Sequence, residues 1–177
     1  MKHIIVLTGP ESTTKSTLAR ELAARFDTGF FPEYAREYLE NKTSGYTYND
    51  VVHIAGKQVE QYEEACRMPG ELVFLDTWLI ITKVWFDWAY KKVPDWLEKA
   101  IADHPVSLFL LCRPDIPWVP DPLRENGGEQ RETLFGIYKN ELQRRGFRYA
   151  EVGESGEQRF FNAVRAVKSN IPISVRS

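Results

Sequence analysis

The stretch that most limits what this chain can fold into runs from Gly9 to Thr17, Gly-Pro-Glu-Ser-Thr-Thr-Lys-Ser-Thr, directly after the apolar run His3-Ile-Ile-Val-Leu-Thr8. A β-branched strand, a glycine-led turn and a Lys-Ser pair opening an amphipathic helix form the setting of a phosphate-binding loop. Backbone N–H groups from Glu11 to Ser16 are expected to point inward, and the helix N-terminus adds positive dipole, so both meet triphosphate oxygens. Lys15 supplies a mobile cation for the β- and γ-phosphates, and the Ser16 hydroxyl a ligand for Mg²⁺. Gly9, Ser12, Thr13, Thr14 and Thr17 complete the expected nucleotide contacts. One position departs from the pattern G-x-x-x-x-G-K-S/T: Thr14 stands where the second glycine belongs. Either Thr14 takes a sparsely allowed backbone conformation, at roughly 1–3 kcal/mol, or the loop has a different shape. The alternative is a Thr/Ser-rich turn that merely caps a helix.

At 177 residues the chain is expected to form a single domain, residues 1–177, with a core large enough to need no staples. A net charge of −2 and a pI near 6.0 give no general basic field, so neither duplex nucleic acid nor an anionic membrane is an implied partner. The two cysteines, Cys66 and Cys112, read as reduced thiols of a cytoplasmic protein rather than a disulfide framework. The first apolar run is too short for a signal peptide or a membrane span. Homo-oligomerisation stays open.

Along the chain, apolar runs alternate with helical periodicities. Lys15 to Phe26 places Leu18, Ala19, Leu22, Ala23 and Phe26 on one helical face. Thr28 to Pro32 reads as a short strand, and Glu33 follows its end. In an open parallel sheet the carboxyl ends of the strands face the ligand crevice, which makes Glu33 a candidate catalytic group; the alternative is a surface carboxylate opening the helix Tyr34 to Glu40. Thr47 and Asp50 form a capping box before a long helix from Asn49 to about Arg67. Glu71 to Leu75 is a continuous apolar strand closing on Asp76. That carboxylate sits where P-loop enzymes keep an acid for Mg²⁺, and it could equally cap the next helix.

That next helix, Thr77 to Tyr90, carries Trp78, Ile81, Trp85 and Trp88 at helical spacing. Such stripes are usually core, yet a tryptophan also makes a platform for a planar heterocycle, and Trp78 lies nearest the strand end. Pro94 to Asp103 is a further helix, and Val106 to Cys112 a third buried strand ending in Arg113. From Asp115 to Arg131 the chain is rich in proline, with Gly127-Gly128 and two arginines. Long irregular stretches in compact domains are usually functional, so this one is expected to be a lid bringing Arg124 and Arg131 over a transferring phosphoryl group. Surface ion pairing of Arg131 with Glu125 or Glu129 is the alternative. Helices from about Glu129 to Arg145 and from Glu157 to Asn170 flank a strand, Phe147 to Val152. The sum is an α/β fold, a three-layer P-loop NTPase arrangement with a mostly parallel sheet of about five strands covered on both faces.

Four segments in matching order, Gly9-Pro-Glu-Ser-Thr-Thr-Lys-Ser-Thr-Leu, Pro32-Glu-Tyr-Ala-Arg-Glu-Tyr38, Phe74-Leu-Asp-Thr77 and Asp115-Ile-Pro-Trp-Val-Pro-Asp-Pro-Leu-Arg124, resemble the ribosylnicotinamide kinase domain of the NadR type, an AAA-like P-loop family. The resemblance covers nearly the whole chain. It implies transfer of the γ-phosphate of ATP, with Mg²⁺, to the 5′-hydroxyl of nicotinamide riboside, giving nicotinamide mononucleotide for NAD salvage. It further implies closure by Arg124 and Arg131; Arg113, which follows a strand end on the same edge as Lys15, Glu33 and Asp76, is expected to contact the nucleotide, and Glu33, Tyr34, Arg36, Asp76, Trp78, Trp118 and Asp121 the substrate. Lys15, Glu33 and Asp76 would be catalytic, with either acid accepting the hydroxyl proton. The larger NadR proteins carry an adenylyltransferase domain as well; with no His-x-Gly-His segment present, only the kinase step is expected here. A looser similarity to deoxynucleoside kinases falls on the same Glu33, so another nucleoside kinase is the nearest alternative. A regulatory nucleotide-binding ATPase with no small acceptor is the more distant one.

Overall fold

The computed structural model describes residues 2–120 and 127–172. Five strands, β1 (His3–Thr8), β2 (Gly29–Phe31), β3 (Leu72–Asp76), β4 (Leu108–Cys112) and β5 (Tyr149–Val152), form one sheet in the order β2-β3-β1-β4-β5, and every pairing is parallel. The central strands are apolar throughout because helices cover both faces. Alternation then divides the core in two. Ile5, Leu7, Phe74 and Leu110 face α1 (Lys15–Arg25) and α7 (Gly156–Asn170), while Ile4, Val6, Val73, Leu75 and Phe109 face the opposite layer. That second layer contains α3 (Tyr48–Arg67), α4 (Leu79–Trp85), α5 (Asp95–Asp103) and α6 (Glu129–Arg144); the short α2 (Tyr34–Glu40) follows β2 and leads toward α3.

The ends of these elements follow their local chemistry. Thr47 accepts a hydrogen bond from the Asp50 amide while Asp50 accepts one from the Thr47 amide, the reciprocal cap expected before α3. The helix anticipated over Thr77 to Tyr90 differs from expectation. Thr77 takes a left-handed φ of 76°, Trp78 is extended, and α4 begins only at Leu79, so Asp76 caps nothing. Phe86–Tyr90 then continues as a π-helical turn. Trp85, Trp88 and Ala89, at spacings of three and four, line one cavity.

The chain leaves β1 toward β2 and leaves the adjacent β3 toward β4, in opposite directions across the sheet. A crevice opens at such a point beyond the carboxyl ends of the strands. The loop after β1, Glu33 two residues beyond β2 and Asp76 at the end of β3 all lie on this edge.

Candidate active site

The loop from Gly9 to Thr14 is shaped by three residues in unusual backbone regions. Gly9 has φ 140°, and a Cβ there would stand 2.5 Å from the Cys112 carbonyl oxygen, so only glycine fits between β1 and β4. Ser12 and Thr14 are left-handed, with φ 57° and 60°. Thr14 therefore adopts the strained conformation open to it rather than reshaping the loop, at roughly 1–3 kcal/mol. Its hydroxyl donates to the Thr13 carbonyl at 2.7 Å.

Every carbonyl from Pro10 to Thr14 has a donor. Pro10 O accepts from the Thr13 hydroxyl at 2.9 Å and from Lys15 Nζ at 2.8 Å. Glu11 O and Ser12 O accept from Arg131 at 3.2 and 3.0 Å, Thr13 O from Arg159 at 3.3 Å, and Thr14 O from the Leu18 amide at 2.9 Å. Against this, the amides of Ser12 to Ser16 donate to no acceptor among the described residues. Carbonyls tied off on one side and amides left on the other make an anion-binding nest at the start of α1.

The nest opens into a cavity of about 710 Å³ lined by Gly9, by Glu11 to Thr17, and by Glu33 and Arg36. Its far wall is apolar and aromatic, with Tyr46, Ile81, Val84, Trp85 and Trp88. Tyr46 meets Trp85 edge-on, the ring centroids 4.8 Å apart. Glu33 precedes α2 with extended backbone and presents its carboxylate to this cavity. Desolvation in the cleft raises the Glu33 carboxyl above its usual range; the nearby Lys15 ammonium opposes that shift and the Asp76 carboxylate adds to it.

Asp76 is buried behind the loop. Its Oδ2 accepts the Ser16 hydroxyl at 2.5 Å. Burial also raises its pKa, against the pull of Lys15 and of the Ser16 hydrogen bond. Its Oδ1 is buried with no hydrogen-bond partner among the described residues. A hydroxyl and a carboxylate oxygen are the donor set that Mg²⁺ takes from a protein when phosphates and water supply its other ligands. Among the described residues no cluster of three His, Cys, Asp or Glu side chains could hold a metal by itself, so a cation here would depend on the oxygens of a bound nucleotide. The residues fit that arrangement.

Several expected site residues stand elsewhere. Trp78 is 1 % exposed and packs on Tyr62 and His104, because the left-handed Thr77 turns its ring into the core; Trp85 and Trp88 line the cavity instead. Tyr34 lies outside the cavity, stacked on Tyr38 with its hydroxyl 3.0 Å from His53 Nε2. Arg113 is exposed and 3.4 Å from Glu151, and the part of it that joins the loop's support is its carbonyl, which accepts from Arg159 at 3.2 Å. Trp118 packs over Gly127 rather than lining the cavity. Arg131 is buried behind the loop, not poised over it, since its three nitrogens donate to Glu11 O, Ser12 O and Ile116 O. Asp121 and Arg124 lie outside the described residues.

Sequence reasoning missed Tyr46 on the cavity wall and, behind the loop, Arg159. Arg159 is 2 % exposed, bonds Asp115, and donates to the Glu154 carbonyl at 2.7 Å as well as to Thr13 O. Its signal was spacing: Arg159, Ala163 and Val167 fall on one buried face of α7, as Arg131, Leu134, Tyr138 and Leu142 do on α6. An arginine in register with a buried stripe is held by internal acceptors.

Comparison with known proteins agrees with the fold. The trifunctional NAD biosynthesis/regulator protein NadR of Escherichia coli (strain K12) is 25% identical over 170 residues, covering 93% of this chain and 42% of its own. The chain thus spans less than half the length of that relative. A crystal structure of NadR protein in complex with NR superposes with a TM-score of 0.83 at 24% identity, over 99% of this chain and 53% of the other. A NadR structure in complex with NAD and AMP-PNP gives 0.78, also at 24% identity, over 99% and 51%. At this identity the two structures speak for the fold. A family model describing an AAA domain matches residues 4–159, and the chain belongs to that AAA domain family.

Proposed function

We propose that the chain is an ATP-dependent kinase that transfers the γ-phosphoryl group to the 5′-hydroxyl of nicotinamide riboside, yielding nicotinamide mononucleotide. The observation that carries this reading is one cavity of about 710 Å³ holding an amide nest with Lys15, a carboxylate with a raised pKa, and a wall of Trp85, Trp88 and Tyr46. The nest suits a polyphosphate and the aromatic wall a planar cationic ring, which tryptophan faces attract. The similarity to NadR, one structure of which holds NR and another AMP-PNP, supports the same pair of ligands.

In the reaction the acceptor oxygen forms a bond to Pγ, the bond from Pγ to the bridging oxygen of ADP breaks, and the hydroxyl proton passes to a carboxylate. Glu33 takes that role, since it faces the cavity while Asp76 is engaged by Ser16. Its raised pKa makes it a better proton acceptor once ionised. Lys15, with one proton on Pro10 O, has two further donors for the β- and γ-phosphates. Ser16 and Asp76 would hold Mg²⁺, which when bound neutralises charge on the phosphoryl oxygens. Chemistry of this kind is mostly positioning and charge, so the pocket's task is to hold the 5′-hydroxyl in line with Pγ.

The test is ADP release with nicotinamide riboside against a panel of nucleosides and deoxynucleosides, repeated with Glu33→Gln. Preference for the pyridinium riboside and a kcat reduced about 10²–10⁴-fold in the variant are expected. Phosphorylation of ordinary nucleosides with no such preference would transfer the assignment to a nucleoside kinase. Slow hydrolysis indifferent to every acceptor would make the protein a regulatory ATPase.

A further inference from the structure

Two buried guanidinium groups account for three of the five loop carbonyls between Pro10 and Thr14. Arg131 spans Glu11 O at 3.2 Å, Ser12 O at 3.0 Å and Ile116 O at 2.9 Å. Arg159 joins Thr13 O at 3.3 Å to the Val152 carbonyl at the end of β5 and to the Arg113 and Glu154 carbonyls beyond β4 and β5. A peptide plane whose carbonyl is held on one side must present its N–H on the other. We propose that Arg131 and Arg159 are positioning residues that preorganise the amide nest by fixing its carbonyls, and that Arg131 acts on phosphate binding through the loop backbone rather than by touching the transferred group.

The loop's own sequence gives the reason for such support. Ser12 and Thr14 are both left-handed without being glycine, so the isolated loop would favour other conformations. Holding it in the competent shape before nucleotide arrives removes an ordering cost from binding. A guanidinium suits the task because its planar fork delivers several N–H donors in fixed directions, whereas a lysine ammonium is a single point on a flexible stem. Arg131 also ties the segment after β4 to the loop through Ile116 O, and the Val119 amide donates to the Ser12 hydroxyl oxygen at 2.9 Å, so this segment and the nest are held as a unit.

The proposal rests on the phosphate-loop reading but not on the identity of the acceptor. Its test combines ¹⁵N order parameters of Ser12 to Ser16 in the nucleotide-free protein with ATP affinity by calorimetry, for wild type, Arg131→Ala, Arg131→Lys and Arg159→Lys. Order parameters near ~0.85 are expected in wild type and below ~0.6 in the variants, the usual values of rigid and flexible backbone. ATP affinity should fall at least tenfold, lysine should not rescue it, and in steady state KM for ATP should rise while KM for the acceptor holds. Where Arg131→Ala does not fold, Arg131→Lys is read in its place. An ordered loop together with a kcat lost at unchanged ATP affinity would overturn the proposal and make Arg131 a phosphoryl contact. Loss of loop order without loss of affinity, or of affinity without loss of order, would overturn it as well. Both readouts decide the matter even if nicotinamide riboside proves not to be the acceptor.

Discussion

Gly9→Ala tests the packing that holds the loop at its origin. The added Cβ would lie 2.5 Å from Cys112 O and 3.2 Å from Cys112 N, where an ordinary carbon–oxygen contact needs about 3.3 Å or more. Cys112 is the last residue of β4, wholly buried and paired with Val152 of β5, so it cannot retreat without opening the sheet beside β1. Overpacking of this kind costs about 1–3 kcal/mol, and holding alanine at φ 140° adds roughly another 1–3 kcal/mol. The sum is about 4 kcal/mol. At ~2–4 °C per kcal/mol for a chain of this size, thermal unfolding should fall by about 8–16 °C, measured by calorimetry at neutral pH. Gly56→Ala and Gly136→Ala are the controls: both glycines lie inside helices with nothing within 4 Å of the new Cβ, and alanine there should be neutral or stabilise by roughly 0.5–1 kcal/mol. A Gly9→Ala protein melting within about 3 °C of wild type would refute the argument that the β1–β4 contact fixes where the nest begins.

Lys15→Ala should abolish ATP binding by calorimetry, whereas Thr14→Gly should keep or improve it, because glycine takes the left-handed conformation of the loop without strain. Glu33→Gln, though slowed in catalysis, should be at least as stable as wild type at pH 7–8: a carboxyl whose folded pKa is raised makes the folded state bind the extra proton, so wild-type stability falls as pH rises from the ordinary carboxyl range through the raised value. The gap between the two proteins should close as pH is lowered into the ordinary range, and melting curves across pH check this. Thr47→Ala removes half of the reciprocal cap on α3 and should cost about 1 kcal/mol, some 2–4 °C in melting temperature, with ATP affinity unchanged.

The parts of this architecture that were legible in the sequence are those governed by period and punctuation. The runs that became β1, β3 and β4 are apolar on both faces, and their alternation with helical periodicities is the pattern of a covered parallel sheet. Glu33 and Asp76 followed from being the first acids at strand ends. What could not be read depends on backbone geometry that residue type conceals. Nothing in a threonine announces that Thr77 will turn left-handed, yet that single φ sends the Trp78 ring into the core and leaves Trp85 and Trp88 to line the cavity. Tyr34, expected at the substrate, opens α2 and turns instead toward Tyr38 and His53, a direction that residue type does not disclose. Arg131 read as a group in search of an anion. Its partners are main-chain carbonyls of a loop more than a hundred residues earlier, which no local pattern discloses.

Glu33 and Asp76 show how one sheet edge assigns different work to like groups. Burial raises both pKa values and Lys15 opposes both shifts, so electrostatics does not tell the two acids apart. Hydrogen bonding does. Asp76 belongs to β3 itself, in register with Leu7 of β1, which brings it beneath the start of α1 and onto the Ser16 hydroxyl. Glu33 stands beyond the short strand β2 at the edge of the sheet, with extended backbone that projects it into the open cavity. An acid fixed by a loop hydroxyl is suited to hold a cation at the phosphates, and one facing the cavity to receive a proton from whatever enters. Asp76→Asn and Glu33→Gln should therefore fail differently in the same assay, the first through the dependence of rate on Mg²⁺ concentration and the second through kcat at saturating Mg²⁺. Identical Mg²⁺ profiles for the two variants would mean that this division of labour is wrong.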